Sequence, residues 1–168
     1  MGYNTEFVGS INIDKKVDIE TKQFLKGLSS TRRVSRNIYV LAERLGISAK
    51  ECLEKYGEYG KHYFDLESMG QNKTEDVLNY NHPPADQPGL WCDWCLGEDD
   101  QSIVWNQSEK FYEYIQWMKY IIKELEMRGY NLNGTIEWYG EEDDDKGYIE
   151  VVNNNVKTKV LVTSYEYT

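Results

Sequence analysis

The run "FYEYIQWMKYIIKEL", residues 111–125, governs how the rest of the chain is read. Phe111, Tyr114, Ile115, Met118, Ile121, Ile122 and Leu125 recur at i, i+3, i+4, i+7 spacing, which places them on one face of a helix. Asn106 or Ser108 offers a capping oxygen ahead of that face, and Gly129 a stop behind it. So apolar a face has to lie on a sheet, and strands flank it on both sides. Upstream, residues 90–96 and 102–105 read as strands joined by the acidic turn "GEDDQ". Downstream come "LNGTIEWYG", "GYIEVV" and "VKTKVLVT", with residues 141–146 between the first two and "NNN" as the last turn. Strands joined by hairpins of this kind make an antiparallel sheet.

The opening segment adds another strand. Tyr3, Thr5, Phe7, Gly9, Ile11 and Ile13 alternate with Asn4, Glu6, Ser10 and Asn12, the period of an amphipathic strand. Asp18 then caps a short helix that buries Ile19, Phe24, Leu25 and Leu28 and ends near Ser29 and Ser30. Residues 37–57 hold two short helices: Gly46 stops the first, Ser48 and Glu51 form the capping box of the second, and Gly57 ends it. Residues 61–66 predict a short strand, and residues 68–88, with all three prolines, a long ordered loop. The expectation is α+β, a mainly antiparallel sheet with one long amphipathic helix packed on a face and short N-terminal helices, in a single domain over residues 1–168.

Charge narrows the partners. With 29 acidic and 19 basic residues the net charge is −10, which repels phosphate backbones and anionic bilayers and favours basic partners. Direct nucleic-acid binding and membrane association are therefore not expected. No window approaches 18 apolar residues, and "MGYNTEFVGS" lacks the basic and apolar regions of a signal peptide, so a cytoplasmic location is expected. Gly2 does not complete a myristoylation signal, because Glu6 stands where Ser or Thr is needed. The 3 cysteines fit a reducing compartment better than a disulfide framework.

Four constellations carry candidate chemistry. In "PGLWCDWC", residues 88–95, Pro88 and Gly89 start what reads as a central or near-central strand; alternation sets Cys92 beside Trp94 and turns Cys95 the other way with Trp91 and Asp93. Cys52, His62 and His82 supply no second knuckle, so structural thiols are expected, with no metal and no cofactor. The acidic turns Glu98, Asp99, Asp100 and Glu141, Glu142, Asp143, Asp144, Asp145 read as solvated hairpin tips, or together as an anionic surface resembling a phosphate backbone. Arg32, Arg33 and Arg36 either grip a phosphate or carboxylate or satisfy carbonyls and carboxylates of the chain itself. Trp91 and Trp94, with Trp105, Trp117, Trp138, Tyr112 and Tyr120, either stack a ligand or fill the core. The second helix of residues 37–57 carries two Lys and two Glu, which argues against DNA reading, and neither histidine sits in a nucleophile motif.

Met1-Gly2-Tyr3 with Thr5, Phe7 and Gly9, then Thr31-Arg32-Arg33, form the first part of a longer pattern. It continues through Asn81, Pro83-Pro84, Gln87 to Cys92 and Trp94, then Ile103, Trp105, Glu109 to Tyr112, Tyr114, Trp117 and Tyr120-Ile121-Ile122. Gly129-Tyr130, Leu132-Asn133-Gly134, Trp138, Gly140-Glu141, Asp145, Gly147, Ile149 and Val151 complete it. In these segments the chain resembles a widespread family of small uncharacterised bacteriophage and bacterial proteins, over roughly residues 1–155. Cys95 lies outside the pattern, and "VLVTSYEYT" runs past its end, where it is expected to add a strand or a partner contact. The resemblance implies no particular reaction. Joined to the charge, it sets the expectation of a non-enzymatic, phage-associated acidic protein that binds a host protein, a nucleic-acid-handling one included, for example as an anti-defence inhibitor of a CRISPR nuclease. The alternative is a protein that binds, sequesters or processes a nucleotide through Arg32, Arg33, Arg36 and the loop aromatics.

Overall fold

The computed structural model describes residues 2–168; Met1, the first residue of the family-like pattern, lies outside them. In chain order the elements are β1 (Thr5–Ile13), α1 (Ile19–Ser30), β2 (Ser35–Arg36), α2 (Ile38–Leu45), α3 (Ala49–Tyr56), a 3-10 turn (Glu58–Gly60), β3 (Val77–Asn79), β4 (Trp94–Leu96), β5 (Ser102–Trp105), α4 (Tyr114–Met127), β6 (Leu132–Gly140), β7 (Lys146–Val152) and β8 (Asn155–Val160). They sort into two compact units: one runs up to Asp18 and resumes at Asp93, and the other is Ile19–Cys92.

The first unit is built on a six-stranded sheet in the order β4-β5-β1-β6-β7-β8, with every neighbouring pair antiparallel. The chain is thus α+β with a mainly antiparallel sheet. β1 enters between β5 and β6, its register running from Thr5 opposite Gly140 to Ile13 opposite Leu132. Its alternation holds, with Thr5, Phe7, Ile11 and Ile13 buried. Phe7 sets its ring edge-on to Trp94, Trp105, Phe111 and Tyr114, the geometry that aromatic quadrupoles favour. Trp138 of β6 and the buried Trp117, Met118, Ile121, Ile122 and Leu125 of α4 belong to the same unit's core.

The expected single long helix is not there: α4 has 14 residues, against 12 for α1. It begins at Tyr114, because Gln107, Lys110 and Glu113 all take positive φ and interrupt any helix upstream. Phe111 is buried from a loop, so the apolar periodicity continues one turn past the helix that carries it. Asn106 does not cap α4; its side chain accepts from the Ser108 N–H at 2.9 Å in a local turn. Trp94 Nε1 donates to the Tyr114 carbonyl at 2.8 Å, and the Tyr114 ring meets Trp138, which ties the start of α4 to both β4 and β6.

The second unit carries the short helices. Asn37 caps α2 by accepting from Tyr39 and Val40, Gly46 closes it at φ 73°, and the Ser48 side chain accepts from Glu51 N–H at 3.1 Å to open α3. Leu41, Ala42 and Cys52 form the hairpin's core, with Ile38, Leu45, Ile47, Tyr56 and Tyr63 against it. Residues 61–66 form turn and irregular chain and not the expected strand. The carbonyls of Gly60, Lys61 and Tyr63 point at the Arg33 guanidinium, which takes the place of a ladder partner. The unit's own sheet is the pair β2 and β3, the latter inside the stretch read as loop.

Candidate functional site

The three clustered arginines do not converge on a common point. Arg33 is 2% exposed, and its guanidinium donates to Gln87 Oε1, Thr31 Oγ1 and the carbonyls of Gly60, Lys61 and Tyr63. Arg36, also 2% exposed, pairs with Asp76 at 2.6 Å, and Arg44 reaches the other oxygen of that carboxylate at 2.9 Å. Burial alone would raise the Asp76 pKa, but the hydrogen bonds from Thr74 and Arg36 and the charges of Arg36 and Arg44 hold it below the usual carboxylate range. Arg32 is half-buried: Nε donates to the Tyr80 carbonyl at 3.0 Å, and the guanidinium lies over the Tyr80 ring at 4.0 Å, with Lys73 at 4.7 Å from the same ring centre. Two of the three cations are therefore engaged from within the chain.

Sequence reasoning missed a different feature of this unit. Arg36, Asn37, Ile38, Tyr39, Leu53, Glu58, Tyr59 and Leu78 line a cavity of about 360 Å³. Tyr39 is 76% exposed, and Leu53, Tyr59 and Leu78 are exposed around it. Contiguous apolar surface rimmed by polar groups marks interaction sites more often than chance exposure does. Tyr59 holds φ 56° inside the 3-10 turn, a costly conformation for an aromatic residue. A hint was present in the exposed position of Tyr39, two residues past the Asn37 cap, but Leu78 arrives from a strand the sequence did not reveal.

The two acidic turns lie at opposite ends of the sheet. Glu98, Asp99 and Asp100 precede Ser102, which pairs with Asn12, and Asn12 pairs with Asn133 at the start of β6. Residues 141–145 follow Gly140, at the Thr5 end. The nine residues of β6 hold them roughly 27 Å apart at about 3.4 Å per residue, so they do not merge into one anionic patch. Several of these carboxylates also shape the turns. Asp145 accepts from Tyr3 Oη at 2.7 Å and Trp138 Nε1 at 3.1 Å, Glu141 accepts from Asn4 N–H, and Asp99 accepts from Ser102 Oγ and Gln101 N–H.

"PGLWCDWC" yields a shorter strand than expected. β4 starts at Trp94 and forms an edge of the sheet, not its middle. Leu90, read as the strand's start, gives its carbonyl to Arg33 N–H at 2.7 Å. Trp94 is buried in the core, while Trp91 is 37% exposed. Cys92 is buried and Cys95 half-buried, and burial together with the Asp93 charge pushes the Cys95 thiol pKa up, away from the thiolate that redox chemistry needs. Asp93 itself is pushed up to about 6 by burial, with the Asn106 side chain pulling the other way. Among the described residues no group of three or more His, Cys, Asp or Glu side chains is placed to hold a metal ion, and no helix is long and apolar enough to cross a membrane. No family model, curated protein or solved structure matches the chain.

Proposed function

We propose that the chain is a non-enzymatic binding protein that docks on a host protein through the apolar surface of Tyr39, Leu53, Tyr59 and Leu78. The observation that carries this reading is that exposed surface around its cavity. A partner that inserts an apolar side chain there gains about 25 cal/mol for each Å² of apolar area it buries. The acidic turns, set apart at the two ends of the sheet, contribute long-range attraction toward a basic partner, which acts on encounter rate more than on final affinity. With the phage-family resemblance, the specific form we infer is an anti-defence inhibitor whose target handles nucleic acid.

Affinity capture from a bacterial host lysate at low salt, run in parallel with wild-type chain and a Leu53→Glu/Leu78→Glu variant, tests the reading. A protein recovered by the wild type and lost by the variant supports it. Identical recoveries from both would remove the surface from the account. The nucleotide alternative retains Arg32, with Lys73 on the same Tyr80 ring, since Arg33 and Arg36 are engaged inside the unit. A nucleotide or cyclic dinucleotide at about 100 times its dissociation constant would add about 2.7 kcal/mol to stability. The expected result of that thermal-shift screen is no shift.

A further inference from the structure

β8 ends the six-stranded sheet, and among the described residues no strand pairs with its outer side. Leu161 N–H donates to the Lys146 carbonyl at 2.9 Å, which fixes the phase of the antiparallel ladder. Pairs alternate between bonded and non-bonded along such a ladder, so Lys157 and Lys159 bond to Glu150 and Tyr148 of β7. Val156, Thr158 and Val160 consequently direct their N–H and C=O groups outward, away from β7. These are the groups an added strand would use.

The side chains along this edge have a definite chemistry. Lys157 and Lys159 project from one face of β8, two neighbouring cations on a chain of net charge −10, and Lys146 lies on the same face of β7, four residues along from the Lys157 partner Glu150. Lys159 pairs with Glu150 at 3.1 Å, while Lys157 and Lys146 have no ion pair among the described residues. From the other face project Val156, Thr158 and Val160, and Val160 is 62% exposed. A strand laid along β8 would thus meet lysines with one set of its side chains and valines with the other. A second copy of β8 is disfavoured as that strand, because two-fold antiparallel pairing centred on Lys157, Thr158 or Lys159 would set lysine against lysine.

We propose that the open edge of β8 receives an extended segment of a partner protein in which acidic and apolar residues alternate, added as a seventh strand. Main-chain bonds to Val156, Thr158 and Val160 hold it, its carboxylates lie beside Lys157 and Lys159, and its apolar side chains cover Val156 and Val160. This site stands on the sheet edge and does not depend on the apolar surface proposed above.

The test uses the full chain and blocked synthetic heptapeptides of alternating Val and Glu, or alternating Val and Lys, followed by fluorescence anisotropy and amide hydrogen exchange. The Val/Glu peptide is expected to bind and to slow exchange at Val156, Thr158 and Val160, with the Val/Lys peptide at least about tenfold weaker. Thr158→Pro removes an outward N–H without costing a β7 bond, so it should abolish binding while leaving the unfolding midpoint close to wild type. A Lys157→Glu/Lys159→Glu chain should reverse the peptide preference. No binding of the Val/Glu peptide at millimolar concentration, equal binding of both peptides, or full binding by Thr158→Pro overturns the proposal. Concentration-dependent dimerisation that competes with the peptide would also overturn it, since the occupant would then be a second copy.

Discussion

Asp93 is buried in an environment at odds with its charge. Its folded pKa of about 6 lies above the ordinary value of 3.8, so the folded state holds the proton more tightly than the unfolded one. The resulting penalty is absent below about pH 4, grows as pH rises, and is complete above about pH 6, where it reaches about 3 kcal/mol. Asp93→Asn is expected to raise the urea midpoint at pH 7 and to flatten its fall between pH 4 and 6. Asp76 has the opposite sign: its lowered pKa contributes stability above the unfolded value and loses it in stronger acid. Arg36→Met leaves Asp76 with one fewer cation in a buried site and is expected to cost about 3 kcal/mol in urea unfolding. Adding Asp76→Leu should recover part of that loss, because it removes the carboxylate left behind. The concentration of arginines at residues 32–36 was legible from the sequence, but their fate was not. Apart from Thr31, the acceptors of Arg33 stand at Gly60, Lys61, Tyr63 and Gln87, and the counter-ion of Arg36 at Asp76, all distant in sequence.

Among the elements, those with strong local codes were legible and those defined by tertiary pairing were not. The Ser48 side-chain cap of α3, the stops at Gly46 and Gly57, and the alternation of β1 all appear where local chemistry places them. β2 and β3, at two and three residues, are too short to show a period, and the start of α4 was obscured because Phe111 joins the same core from a loop. Gly9 gives a sharp test of the β1–β6 contact. It holds φ 117°, and a Cβ there would lie 2.5 Å from the Thr135 carbonyl oxygen. Gly9→Ala is therefore expected to destabilise by about 2 kcal/mol or more in chemical unfolding, through strain and strand displacement together. Ser48→Ala, which removes only the α3 cap, should cost about 1 kcal/mol.

At the scale of the whole molecule, strand order decides what the surface can do. β1 lies between β5 and β6, strands about 90 residues or more downstream, and no local pattern announces that insertion. The insertion makes β4 and β8 the edges and sends the two acidic turns to opposite ends. The turns should then act independently on a basic partner: replacing Glu98, Asp99 and Asp100 by amides should slow association several-fold with little change in dissociation rate, measured by surface plasmon resonance at low salt. The central claim, that a host protein docks on the surface around Tyr39, is tested most directly by installing a photo-crosslinking amino acid in place of Tyr39 and irradiating in host lysate. One dominant crosslinked host protein is expected from position 39, and none when the crosslinker replaces Arg32. A crosslink from position 32 with none from position 39 would contradict the claim.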